Sequence, residues 1–196
     1  MKKALWIILG ALVLGGFWMM SARNSFVTQE ENVKAKWSQV ENVYQRRLDL
    51  IPNLVNTVKG YASHERETLE GVIEARAKAT QISGDALKNV INDPQAFQKF
   101  QESQAGLSSA LSKLMVVVER YPDLKANQNF LELQSQLEGT ENRIAVERKR
   151  YNEAAQEFNV SVRRFPGALI ANFFGFKEKA YFQADSGASK APEVKF

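Results

Sequence analysis

The chain of 196 residues has no cysteine and a single histidine, His64. Without thiols there is no disulfide framework, no thiolate nucleophile and no zinc or iron–sulfur site built on sulfur. One imidazole excludes a multi-histidine metal centre. No metal or other cofactor is implied by the residues, and no catalytic set is assembled by any motif. Breakers are scarce as well, with five prolines and eleven glycines, so long stretches are free to be helical. Charge of one sign is missing too. Lys+Arg 26 against Asp+Glu 22 gives +4, and with Lys2 and Lys3 set aside the remaining 24 basic and 22 acidic side chains leave +2. Both signs are interspersed, so the concentrated basic face that a nucleic-acid partner requires is absent from the pattern.

What is present begins at the N-terminus. Ala4 to Met20 (ALWIILGALVLGGFWMM) is a run of 17 residues without a charge, about 26 Å as a helix and near the short end of a hydrocarbon span. Trp6 and Trp18 stand near its two ends, where indole prefers the headgroup region. A cleavable signal peptide shares the basic start and apolar run. This run is longer than a usual signal core, however, and no clean small-x-small site follows it. Residues 1–22 are therefore read as a membrane anchor that contacts the bilayer through residues 4–22. Lys2 and Lys3 precede the span while only Arg23 follows closely, which places the N-terminus in the cytoplasm and the body on the far side. Ala11 and Gly15 form a small-xxx-small face for helix contact.

The body, residues 23–184, reads as long helices. Thr28-Gln-Glu-Glu31 matches a capping box. From it a seam recurs at Val33, Trp37, Val40, Tyr44, Leu48, Ile51, Val55, Val58, Ala62, Leu69, Val72 and Arg76, mostly in steps of three and four. That is one buried helical face, and it predicts a single helix reaching Gln81 with a kink at Pro52. Ser83-Gly84-Asp85 breaks it, and a short helix is expected around Asp85–Asn92. Asp93-Pro94 starts the next helix, with a seam from Phe97 to Tyr121. Asp123 is the expected cap of a third, running from Phe130 to Val162 and ended by Phe165-Pro166-Gly167. The tail 185–196 is expected to be disordered. The fold class is all-α: an N-terminal transmembrane helix followed by an elongated antiparallel bundle of three long helices plus short ones.

Arg46 to Arg76 (RRLDLIPNLVNTVKGYASHERETLEGVIEAR) resembles the signature of the LemA family. Glu141–Asn159 (ENRIAVERKRYNEAAQEFN), Phe165–Phe176 (FPGALIANFFGF) and Tyr181-Phe182 extend the likeness over almost the whole chain. The resemblance implies a helical bundle anchored in the bacterial inner membrane and carries no established enzymatic activity with it.

Four groups of residues stand out, each with two readings. His64-Glu65-Arg66-Glu67 begins like a zinc-protease helix, but Thr68 replaces the second ligand and the three ligands such a centre needs are missing. His64 is then either a base oriented by Glu65 or Glu67, or a surface histidine at an interaction face. Arg46, Arg47, Asp49 and Asn53 surround Pro52, which frees the carbonyl of Leu48; Asn53 or an arginine can satisfy it. They form either a polar site or a buried network that sets the bundle's register, with Asp49 paired to an arginine. Arg143–Arg150 (RIAVERKR) is either a phosphate-binding patch or a solvated face. Phe173, Phe174 and Phe176 either plug the end of the bundle or touch the bilayer or a neighbouring subunit. The first helix is longer than the others can cover, so Trp37 is expected to need a partner chain. The resulting functional expectation is a homo-oligomer that organises the envelope, the alternative being an accessory module bound to a membrane protein partner such as a protease.

Overall fold

A computed structural model of the chain describes residues 2–81 and 90–183, and among these there are helices and no strands. In order they are α1 (Lys2–Tyr61), α2 (Arg66–Gln81), a 3-10 turn (Val90–Asn92), α3 (Pro94–Val118), α4 (Pro122–Lys125), α5 (Gln128–Arg163) and α6 (Gly167–Phe174). Residues 85–89 of the expected short helix, and the expected tail 185–196, lie outside the described residues.

The all-α expectation holds, with three boundaries moved. The helix that Thr28 was expected to cap is already running. α1 is continuous from Lys2, and the Thr28 hydroxyl donates back to the carbonyl of Asn24 at 3.0 Å. Nucleation is the costly step of helix formation. With no breaker between Met20 and Thr28, extending the apolar helix costs less than starting another. The same helix ends at Tyr61 and does not reach Gln81. A turn through Ala62–Glu65 reverses the chain, with Glu65 N donating to Ala62 O at 3.1 Å, and α2 folds back on α1. The seam stayed in phase because both arms of this hairpin turn their apolar residues toward one core, a pattern that periodicity shares with a straight helix.

Pro52 lies inside α1 without ending it. The carbonyl of Leu48, four residues earlier, accepts from Arg76 Nε of α2 at 2.9 Å, so the second arm of the hairpin supplies the donor that proline removed. Asp93 caps α3 as its side chain accepts from Gln95 N and Ala96 N, with Pro94 at the first helical position. For α5 the cap is Asn127, whose side chain accepts from Phe130 N, and not Asp123. Pro122 starts a one-turn helix of its own, and Asp123 falls inside it.

The core has two halves. One gathers Phe26 to Tyr44 of α1, Phe97 and Phe100 of α3, Ile144 to Val162 of α5, and Phe182. The other gathers Leu48 to Val58, α2, Leu107 to Val118 of α3, and Phe130 and Leu137 of α5. Low numbers on α1 meet high numbers on α5, so the two run antiparallel and the end of α5 returns to the level of Phe26. Trp37 sits in the first half, 4% exposed, with ring centroids 5.4 Å from those of Phe100 and Tyr151. This corrects the expectation that Trp37 needs a partner chain: the inner face of α1 from Phe26 to Val58 is covered by the chain's own helices. The uncovered apolar surface of α1 is residues 4–20, all exposed.

Trp37→Ala should therefore cost about 3–5 kcal/mol of stability. Val160→Ala, at a position 52% exposed, should stay within about 0.5 kcal/mol. Denaturant unfolding followed by circular dichroism distinguishes the two.

Candidate functional site

Between the two core halves lies a polar layer centred on Arg47. Its side chain is 2% exposed. Nη1 donates to Glu141 Oε1 at 2.8 Å and to Ser108 Oγ at 3.0 Å, and Nη2 donates to the side-chain oxygen of Gln104. The guanidinium also stands 5.1 Å from the Tyr44 ring centroid. Gln104 is 4% exposed, whereas the Glu141 side chain is 45% exposed, so the pair is buried on one side and wet on the other. Arg47 Nε has no hydrogen-bond partner. The layer ties α1, α3 and α5 together at one level, and an open cleft of about 390 Å³ lies over it between α3 and α5.

Of the residues singled out around the kink, only Arg47 belongs to this layer. Arg46, Asp49, Pro52 and Asn53 are exposed. Asp49 accepts from Gln45 Nε2 at 2.8 Å within its own helix, so it pairs with no arginine. The spacing from 46 to 53 carries four of the five around to the outer face, and helix position decides which arginine is buried. The donor to Leu48 O is Arg76 rather than Asn53.

His64 is exposed in the α1–α2 turn. Glu65 is partly buried and engaged: it accepts from the Tyr121 hydroxyl at 3.0 Å and pairs with Arg120 Nη2 at 3.0 Å. That hydrogen bond, with burial second, pushes the Tyr121 phenol above its ordinary range. Glu65 thus clamps the hairpin turn to the end of α3. No group of three metal-ligating side chains converges among the described residues. In Arg143–Arg150, Arg150 pairs with Glu147 at 2.7 Å and Lys149 with Glu153 at 3.9 Å, while Arg148 donates to Gln183 O at 3.0 Å and lies 4.7 Å from the Phe182 ring centroid. Arg150 and Lys149 are thus paired along their own helix, Arg148 is spent on the segment 177–183, and Arg143 is exposed.

A clasp escaped the sequence reasoning. The extended segment 177–183 is laid along α5 by two asparagines seven residues apart. Asn159 accepts from Lys179 N at 2.8 Å and donates to Lys179 O at 2.9 Å. Asn152 does the same for Phe182, at 2.9 and 3.0 Å. The buried Lys179 ammonium donates to Glu30 at 2.5 Å and Asn92 at 2.6 Å. The clasp thereby joins α1, the turn before α3, and α5. Paired Asn at i and i+7 opposite a Lys-Ala-Tyr-Phe segment was a readable pattern, though one without a standard meaning.

The Phe-rich segment divides. Phe176 packs on Phe26, centroids 5.4 Å apart, and on Phe158 at 6.3 Å. Phe174 is partly buried, with Arg23 over its ring at 5.4 Å. Phe173 is 75% exposed. Two of the three close the end of the bundle and one faces out. Gly175, at φ +77°, ends α6 in the left-handed region where glycine avoids the Cβ penalty.

The LemA family profile matches residues 36–196. The chain belongs to the LemA family. Among its relatives, "Magnetosome protein MamQ 1" and "MamQ 2" of Paramagnetospirillum magneticum are each 30% identical over 174 residues, 82% of this chain and 64% of theirs. "Protein LemA" of Metamycoplasma hominis is 24% identical over 185 residues, 93% of this chain and 80% of that one. The chain thus spans just under two thirds of the magnetosome relatives' length. LemA membership and the single apolar start of α1 are consistent with a single-pass membrane protein.

Two expectations test the layer and its surroundings. Arg47→Ala leaves the buried Gln104 without its partner and should cost about 1–3 kcal/mol; Arg47→Met with Gln104→Leu should recover most of that, and Asp49→Ala should change stability by less than about 0.5 kcal/mol. Near Trp37, burial raises the Glu41 carboxyl above its usual 4.5 despite the indole hydrogen bond that lowers it. The folded carboxyl holds its proton more tightly than the unfolded one, so this group favours folding below about pH 4.5 and loses that contribution as pH rises through its folded value. Glu41→Gln keeps an acceptor for the indole and should match the parent at pH 4 while exceeding its melting temperature at pH 7.

Proposed function

We propose that this LemA-family protein is a non-enzymatic membrane-anchored scaffold, self-associating in the bacterial inner membrane with its body on the periplasmic side. The observation that carries the reading is the unbroken α1. Its 60 residues make one rod of about 90 Å, whose first third is apolar and whose remainder is the spine of the bundle. A body joined to its span without a flexible linker is held at a fixed angle to the bilayer. Copies in one membrane then present the same faces to one another, and the orientational cost of assembly falls.

Self-association no longer draws on the inner stripe of α1, which is covered within the chain. It draws on the span, where Gly15 has nothing within 4 Å of the place a Cβ would occupy and Ala11 stands one turn away. The relatives named as magnetosome proteins fit a component of an assembly better than a free-standing catalyst. Lys2 and Lys3 before the span support the orientation.

The mass of the full-length protein in mild detergent tests the reading. A homo-oligomer that dissociates on Gly15→Leu is expected. A solitary monomer would overturn it, and a monomer recovered with a membrane enzyme would install the accessory role instead.

A further inference from the structure

We infer that α6 is a second membrane contact, with Leu169 and Phe173 seated in the headgroup layer of the bilayer that holds the N-terminal span. The inference rests on reading residues 4–20 as that span.

α6 is fixed against α1 immediately beyond the apolar run. Gly167 is so close to Phe26 that an added Cβ would stand 3.2 Å from the ring and 2.6 Å from the carbonyl oxygen of Ser161. Arg23 lies over Phe174, and Ala22 packs on the same cluster as Phe174 and Phe176. From Met20 to Arg23, which lies over Phe174, the helix rises about 4.5 Å. The polar layers add roughly 5–8 Å to each side of the hydrocarbon core. Exposed groups beside α1 at this level therefore lie among headgroups.

The exposed groups at this level are the ones that suit that layer. Ile170 and Ala171 are buried and lock the inner face of α6, whereas Leu169 is 65% and Phe173 75% exposed. Four residues apart, Leu169 and Phe173 share the outer face. Phe165, 79% exposed, lies just before α6. Cations accompany them: Arg23, Arg164 and Lys177 are exposed, and Arg163 faces the acid Glu178 at 3.7 Å. Apolar side chains flanked by arginine and lysine are the composition of an interfacial helix on anionic lipid.

The absence of cysteine makes the test clean, because each introduced thiol is the sole one. The full chain is reconstituted in phosphatidylcholine–phosphatidylglycerol vesicles with a nitroxide at one of four positions: Leu12→Cys in the span, Leu169→Cys, Phe173→Cys, or Leu131→Cys at the far end of α5. Accessibility to oxygen against a water-soluble nickel chelate reads depth, and circular dichroism checks that each variant is helical. The expected result is a ratio at 169 and 173 several-fold above that at 131 and approaching that at 12. Values at 169 and 173 equal to that at 131, with 12 in lipid, would overturn the second contact alone. A label at 169 or 173 that is shielded from both reagents and spin-coupled to the same position of a second chain would overturn it in favour of a second copy. A water-exposed label at 12 would sink the span reading and this contact with it. The measurement reads each chain separately, so a monomeric protein, which ends the scaffold reading, leaves it valid.

Discussion

α1 has to satisfy two solvents along one uninterrupted hydrogen-bonded ladder. Its first residues offer apolar side chains on every face, as a helix in hydrocarbon must, and from Phe26 onward only one face is buried. The change in pattern occurs without a break in the backbone. α5 and α2 lie along the inner face of that spine, while α3 packs on α2 and reaches α1 through the aromatic side chains around Trp37. Were the ladder broken near Arg23, the bundle would keep its core but lose its fixed relation to the span.

Along that spine the core would be ambiguous if it were wholly apolar, since ridges of leucine and phenylalanine pack nearly as well one turn up or down. Arg47 removes the ambiguity. A buried guanidinium must find its acceptors, and Gln104, Ser108 and Glu141 stand at one level of α3 and α5. A slip of a turn would strand the charge in the apolar half above or below. The half-exposed Glu141 limits the desolvation cost, because one carboxylate oxygen keeps access to water. We therefore propose that the layer contributes uniqueness of register more than net stability.

Much of this was legible in the sequence because helical burial is periodic: the seams of α1, α3 and α5, the Asp93-Pro94 start and the unmet Leu48 carbonyl follow from local rules. The turn at Ala62–Glu65 was not, because a hairpin whose arms share a core keeps the phase of a straight helix. Trp37 looked surplus for the same reason. Its cover comes from Phe97, Tyr151 and Phe182, remote in sequence. Asp49 looked like a buried partner since it neighbours two arginines in the chain, yet a helix sends residues 46, 47 and 49 in different directions and only 47 points inward. The Asn152–Asn159 clasp carried no meaning in the sequence for another reason: its partners are the backbone N–H and C=O groups of an extended segment, which have no side-chain signature.

The clasp explains why α6 can bear exposed apolar groups without collapsing inward. Lys179 is anchored through both its backbone and its ammonium, so the chain leaving α6 is pinned to α5 and to Glu30 of α1. Gly167 against Phe26 pins the chain entering it. Held at both ends, α6 cannot roll Leu169 or Phe173 into the core, where Ile170 and Ala171 already fill the space. Water is a poor neighbour for those side chains and the headgroup layer a better one. On the proposed reading the span sets the height of the body but leaves it free to tilt, and a second contact to one side of α1 limits that tilt. We propose that the rigid clasp and the unbroken helix act together, the one holding α6 outward and the other setting how the body stands on the membrane.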